Sequence, residues 1–157
     1  MKTKYIPDGY HTVTPYLIVK GAARAIDFYQ RVFRAVEKMR SAGPGGSIMH
    51  AEIQIGDTTI MLADEFPQMN ALSPHTVGGS PVLLALYVEN VDEVVRKAEA
   101  EGARIERPVQ DQFYGDRSGT VVDPFGHRWT IATHIEDVSP EEMERRMPAM
   151  KAGAAQA

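Results

Sequence analysis

The 157-residue chain contains no cysteine. That single absence excludes disulfides, thiolate metal sites, iron–sulfur clusters and cysteine nucleophiles. Positive charge is also scarce: 17 Lys and Arg stand against 21 Asp and Glu, a net charge of −4. Such a chain lacks the basic footprint that phosphate backbones demand, so nucleic acid is not an expected partner. No apolar run approaches the ~20 residues of a membrane span. The basic start Met1-Lys2-Thr3-Lys4 leads into Tyr5-Ile6-Pro7-Asp8-Gly9 in place of an apolar signal core. The expectation is a soluble, cytoplasmic protein with no membrane partner. A Gly-rich phosphate loop, a Ser nucleophile elbow and a dinucleotide fingerprint are all missing, which sets aside kinases, hydrolases of that type and NAD enzymes.

What is present is ordinary globular material, 43% hydrophobic and 24% charged, with the length of one domain or of two small repeated units. Thr12 to Val19 reads as a strand rich in β-formers. Ala22, Ala25, Ile26, Tyr29, Val32 and Phe33 follow at helical spacing. Gly43-Pro44-Gly45-Gly46 is a turn. Ile48 to Ile55 alternates, with Met49, Ala51, Ile53 and Ile55 on one face and His50, Glu52 and Gln54 on the other. Gly56-Asp57 then turns the chain into a strand over Thr59–Ala63, forming a hairpin. Phe66 to Ser80, with Pro67, Pro74, Gly78 and Gly79, reads as a linker. Beyond it Val82–Val88 is a strand, and Val91, Val94, Val95 and Ala98 form a helical stripe. Asn90 fits its N-cap, Glu93 lies three residues on, and Gly102 fits the C′ position. Thr120–Val122, the Asp123-Pro124-Phe125-Gly126 turn and His127–Thr133 complete a second hairpin. Ser139-Pro140-Glu141-Glu142 places Ser at N-cap, Pro at N1 and Glu at N3 of a short C-terminal helix.

The order repeats. Leu17-Ile18-Val19 precedes the first helix as Leu86-Tyr87-Val88 precedes the second, and Gly56 matches Gly126, at offsets of 69 and 70 residues. A duplicated strand–helix–strand–strand unit is the implication. Each sheet would carry its helix on one face and leave the other free to line a cavity.

Val13-Thr-Pro-Tyr-Leu-Ile-Val19, Ala25-Ile-Asp-Phe-Tyr29, the Val91-Asp92 helix start and Asp123-Pro-Phe-Gly126 together resemble the vicinal oxygen chelate superfamily of glyoxalases, bleomycin-resistance proteins, fosfomycin-resistance enzymes and extradiol dioxygenases. Asp111-Gln-Phe-Tyr-Gly-Asp-Arg117, His50-Ala-Glu52 and Ile55-Gly-Asp57 resemble its PhnB-like branch. The resemblance implies an α+β fold of two βαβββ modules with curved mixed sheets, at residues 10–66 and 81–135. A linker over 67–80, a C-terminal helix over 138–148 and a disordered tail over 149–157 complete the expected plan. It also implies a homodimer with a small-molecule cavity between sheets. In metal-dependent members, ligands stand on the cavity side of the first and last strands of each module. Those positions fall here at Thr14, Ile60, Leu83 and Thr130, and none supplies an imidazole or carboxylate. No metal site and no cofactor are therefore expected. A divalent metal enters only under the alternative reading, a metal-dependent lyase, isomerase or dioxygenase.

Among polar candidates, His50 can serve as a general base near neutral pH, with Glu52 orienting it or binding substrate. A solvated strand face or an intersubunit hydrogen bond is the favoured reading of the pair, because titratable pairs on sheets are often structural. Tyr114, Asp116 and Arg117 fall in a loop between Gly115 and Gly119. Arg117 can hold a carboxylate or phosphonate bidentately, and Tyr114 or Phe113 can stack on an aromatic ligand. An Asp116–Arg117 turn against a dimer partner is the structural alternative. Thr130 completes the candidate ligand-binding set. His11, His75, His127 and His134 show no metal-type i, i+4 spacing. Trp129 reads as core, and Asp64 and Glu65 as solvated strand-end residues. Whether any reaction is catalysed is left open, between a metal-independent binding protein, an enzyme of the glyoxalase or resistance type, and a structural or regulatory dimer.

Overall fold

The chain lays down one motif twice. The computed structural model describes residues 3–154. In the first module β1 (Tyr16–Val19), α1 (Ala22–Phe33), β2 (Val36–Ala42), β3 (Ile48–Ile55) and β4 (Thr58–Asp64) follow one another. A one-turn helix α2 (Pro74–Val77) lies in the connection. The second module runs β5 (Leu83–Tyr87), α3 (Val91–Ala100), β6 (Arg104–Asp111), β7 (Asp116–Val122) and β8 (Arg128–His134), and α4 (Pro140–Ala154) ends the description. Each module forms a four-stranded mixed sheet of the same order, β1-β4-β3-β2 and β5-β8-β7-β6. In both, the first strand pairs parallel with the last and the other pairs are antiparallel. The α+β plan of two βαβββ modules is therefore present.

Several local readings are corrected. β2 and β6 gave no sequence signal because these strands, VEKMRSA and RIERPVQD, have most positions in solvent and no apolar alternation. The alternation of β3 fails at Met49, which is exposed. A register shift between Ser41 and Ala42 marks a bulge that turns it outward while Ile48 enters the core. β1 starts at Tyr16 rather than Thr12. β7 starts at Asp116, so Asp116 and Arg117 belong to a strand and not to a loop. α4 begins on the expected cap, with the Glu142 N–H donating to Ser139 Oγ at 3.2 Å. It runs on to Ala154, so residues 149–154 of the expected tail are helical. Ala, Met and Lys are strong helix formers, so propensity favours the extension. Residues 155–157 of that tail lie outside the described residues.

The core lies between the helices and both sheets. Phe28, Tyr29 and Phe33 of α1 meet Phe125 and Trp129 of the second module, with Phe33 and Trp129 ring centroids 4.7 Å apart. At its centre Asp123 is buried and fully used. Oδ1 accepts from the Phe125 and His127 N–H groups at 2.9 and 3.0 Å. Oδ2 accepts from Tyr29 Oη at 2.6 Å and Trp129 Nε1 at 2.9 Å. The Asp-Pro-Phe-Gly turn is thus joined to α1 of the other module by a buried carboxylate, whose loss of hydration four donors offset.

Asp64 is not solvated. Its Oδ1 accepts from the Gly21 and Ala22 N–H groups at 2.9 and 2.8 Å and caps α1, while Oδ2 accepts from Ile48 N–H at 2.8 Å. Glu65 accepts from the Ser73 hydroxyl at 3.1 Å, with Lys20 at 3.6 Å. With α1 and α3 on one side, the opposite faces of the two sheets are left open. There Tyr16, Leu83 and Tyr87 are exposed.

Candidate functional site

The pleat of β3 sends Ala51, Ile53 and Ile55 into the core and leaves His50, Glu52 and Gln54 on the open face. Pairing then sets a row across the sheet: Tyr16 on β1 opposite Met61 on β4, Met61 opposite Glu52 on β3, and Glu52 opposite Met39 on β2. Along this face a continuous hydrogen-bonded chain forms. Tyr16 Oη lies 2.8 Å from His50 Nδ1, His50 Nε2 lies 3.1 Å from Glu52 Oε1, and Tyr10 Oη donates to Glu52 Oε2. Tyr10 is delivered by the segment before β1, which is tied down where Thr59 Oγ1 donates to Gly9 O at 2.8 Å and His11 Nε2 meets Asp57 O at 3.1 Å. Beside it a depression of about 380 Å³ is lined by Tyr5, Tyr10, His11, Thr14 and Met61 among others.

The electrostatics follow from these contacts. The Tyr10 hydroxyl, and after it His50, hold the Glu52 carboxyl below the usual carboxylate range. The same bond pushes the Tyr10 phenol up. Partial burial, and then the Glu52 charge, raise Tyr16. Glu52 is therefore an anion near neutral pH, and both phenols stay protonated. A carboxylate holding an imidazole that faces a hydroxyl is an acid–base arrangement.

The second open face has its own cluster. The buried Asp116 accepts from Tyr87 Oη at 2.7 Å and pairs with His134 Nδ1 at 2.7 Å, while His134 Nε2 reaches Asp137 at 2.9 Å. Asp137, then Asp116, push His134 above its usual value. Thr130 lies on this face, 3.1 Å from the Thr120 hydroxyl. Arg117 points to the other side. Its Nε and Nη2 donate to Asp92 at 2.8 Å each, and Nη1 donates to Asp111 at 2.9 Å, so its fork is taken by two carboxylates and not by Asp116. Phe113 and Tyr114 pack edge to face at 5.3 Å in the turn between β6 and β7, where Arg146 of α4 donates to Phe113 O at 3.3 Å. The structure thus brings His50 and Glu52 together and leaves Phe113, Tyr114, Arg117 and Thr130 on the other module.

Tyr10, Tyr16 and Tyr87 complete these clusters and escaped the sequence reading, which places Asp116 in a loop with Arg117 rather than beside His134. Tyr16 shares its strand's open parity, a signal that was available. Tyr10 precedes every regular element, so no periodicity marks it.

The divalent ion that the resemblance implies can be tested against the donors. Leu83 and Thr130 stand on the open side, and Thr14 lines the depression. Ile60 turns into the core, and the register puts Met61 in its place. Threonine, methionine, leucine and threonine do not make a site for a hard or borderline cation. Among the described residues no three His, Asp or Glu side chains converge elsewhere in a metal-binding group. None of the described helices is long and apolar enough to cross a membrane.

A model of the family described as Glyoxalase/Bleomycin resistance protein/Dioxygenase superfamily matches residues 10–131. An uncharacterized protein of Mycobacterium bovis is 40% identical over 144 residues, covering 90% of this chain and 95% of its own. TioX from Micromonospora sp. ML1 superposes with a TM-score of 0.62 at 28% identity, over 80% of this chain and 99% of its own. The PhnB protein of Bacillus cereus gives a TM-score of 0.63 at 20% identity, over 78% and 99%.

Proposed function

Because the chain belongs to the glyoxalase/bleomycin resistance protein/dioxygenase superfamily, we propose that it binds a small organic molecule against the open face of its first sheet and does so without a metal ion. The observation that carries this reading is the Tyr16–His50–Glu52–Tyr10 chain beside the depression at Tyr10 and Met61. Supporting it are the donors at the four positions where metal-dependent relatives would hold an ion, which suit no divalent cation. Any chemistry on the ligand is then acid–base chemistry, with His50 and Glu52 as its core.

The same proposal includes a homodimer and a cytoplasmic location. Two open sheet faces carrying exposed Tyr16, Met39, Leu83 and Tyr87 favour pairing with a second copy. A cysteine-free chain needs no oxidising compartment.

Elemental analysis of the purified protein, followed by thermal-shift screening of ligands and metals, tests the reading. Ligands should raise the melting temperature, whereas Zn, Ni, Mn and Fe should not. Stoichiometric ion held by His or carboxylate on the open face would refute it and restore the metal-dependent lyase, isomerase or dioxygenase. Light scattering that gave the 17.3 kDa of a single chain at micromolar concentration would refute the dimer.

A further inference from the structure

We propose that Tyr16, rather than His50, is the group that meets the ligand's proton, and that His50 receives the proton Tyr16 gives up. The proposal rests on the reading that this face binds a small molecule. Its basis is the direction of the hydrogen bonds. An ionised Glu52 only accepts, so its two contacts are donated by Tyr10 Oη–H and by His50 Nε2–H. A neutral imidazole protonated at Nε2 has its lone pair at Nδ1. The 2.8 Å contact at Nδ1 is then a hydrogen bond donated by Tyr16. Tyr16 Oη keeps its own lone pairs for a ligand, and the residue is 47% exposed, whereas both ring nitrogens of His50 are already engaged.

The relay balances as a double proton shift. A ligand X–H bond breaks and a new Oη–H bond forms, while the original Oη–H bond breaks and Nδ1–H forms. The products are the ligand anion and an imidazolium held by the Glu52 carboxylate. This is the logic of a hydroxyl backed by a base that a carboxylate orients.

The ligand class follows from the same row. Tyr16, Met61, Glu52 and Met39 span the sheet, and the one formal charge among them is the Glu52 carboxylate. A ligand that arrives as an anion is repelled there, whereas one ionised in place faces the imidazolium that its own proton creates. The row suits a neutral, flat, largely apolar molecule that offers one weakly acidic O–H or N–H to Tyr16.

The probe is 4-nitrophenol, whose anion absorbs visible light, titrated into the full-length protein and into Tyr16→Phe. Imidazole 15N spectra of ligand-free protein, with the His50 signals assigned by their loss in His50→Gln, give the tautomer independently. The expected result is an Nε2–H tautomer in the wild type and, on binding, more phenolate than free 4-nitrophenol shows at the same pH. In Tyr16→Phe that excess phenolate should disappear and affinity should fall about tenfold or more. The same tautomer in Tyr16→Phe, still held by Glu52, shows that the pocket is intact. An Nδ1–H tautomer in the wild type overturns the relay. Equal binding and ionisation in Tyr16→Phe also overturns it and leaves the pocket standing. A wild type that binds no 4-nitrophenol overturns the pocket reading on which the relay depends.

Discussion

Replacing Asp123 by Asn should destabilise the protein without unfolding it, because the swap changes one atom where four donors converge. Oδ1 serves two backbone N–H groups, and Oδ2 serves Tyr29 Oη and Trp129 Nε1. An asparagine supplies one acceptor oxygen and one NH2. With its oxygen toward the backbone, the NH2 faces the tyrosine and the indole. Tyr29 can rotate its hydroxyl and accept, but the Trp129 N–H has no such freedom and is stranded in the core. One buried unsatisfied donor and one lost charge-assisted bond together cost about 2–4 kcal/mol. For a chain of this size that lowers the melting temperature by roughly 4–16 °C. Differential scanning calorimetry measures it. Tyr29→Phe removes a bond that is charge-assisted only while residue 123 is a carboxylate, so the double variant Asp123→Asn/Tyr29→Phe should lose less than the sum of its singles. Melting within about 2 °C of wild type for Asp123→Asn, or strict additivity in the cycle, would refute the account of Asp123 as the shared acceptor of both modules.

Three further outcomes are expected. Glu52 is depressed by Tyr10, so its contribution is present above the unfolded carboxylate range and lost as pH falls through the folded value. Tyr10→Phe should therefore melt below wild type at neutral pH, with the gap closing on acidification; a gap constant with pH would refute the linkage. His134 is raised by Asp137 and Asp116, the carboxylates facing it, so its contribution holds below the ordinary histidine value and fades as pH rises through the raised one. His134→Gln should abolish the wild-type decline in melting temperature from about pH 6.5 upward, and an unchanged profile would refute it. Gly115 has a φ of +99°, and a Cβ there would stand 2.0 Å from Glu136 O. Gly115→Ala should cost roughly 2 kcal/mol or more, read as a lower melting temperature in calorimetry, because left-handed strain adds to a backbone clash.

The elements that the sequence exposed are those that bury a periodic apolar face. α1 and α3 were legible from their stripes, β3 from its alternation, and the Asp123 turn from its Asp-Pro-Phe-Gly residues. β2 and β6 were not, since most of their side chains lie in solvent, where composition is free. Asp64 looked solvated because a cap closed by a residue 42 positions away leaves no local pattern. His50 and Glu52 were visible as one strand face. Their phenol partners were not, because Tyr10 and Tyr16 reach them across 42 and 34 residues of chain. The Arg117 reading failed through a boundary error: with Asp116 and Arg117 in β7, strand parity sends the two side chains to opposite faces.

The duplication shows which demands tie a position and which leave it free. At the end of β4, Asp64 accepts the first N–H groups of α1. At the matching place in β8, Thr133 accepts from Val91 N–H of α3 at 3.0 Å, so the need for a cap persisted while the residue changed. The open faces carry no such obligation. Register alignment sets Tyr16, Met61 and Glu52 against Ala85, Thr130 and Thr120, and sets His50 against Ser118. An imidazole–carboxylate pair at mid-strand in one module thus corresponds to hydroxyls in the other. Hydroxyls can orient a ligand, but without a base behind them they cannot take its proton. The second module's own acid–base pair, Asp116 and His134, sits instead at the end of its sheet, bonded to Asp137 just before α4. Among the described residues an imidazole–carboxylate pair in the middle of a sheet is therefore confined to the first module, which is why the depression beside Tyr10 and Met61 carries the functional reading.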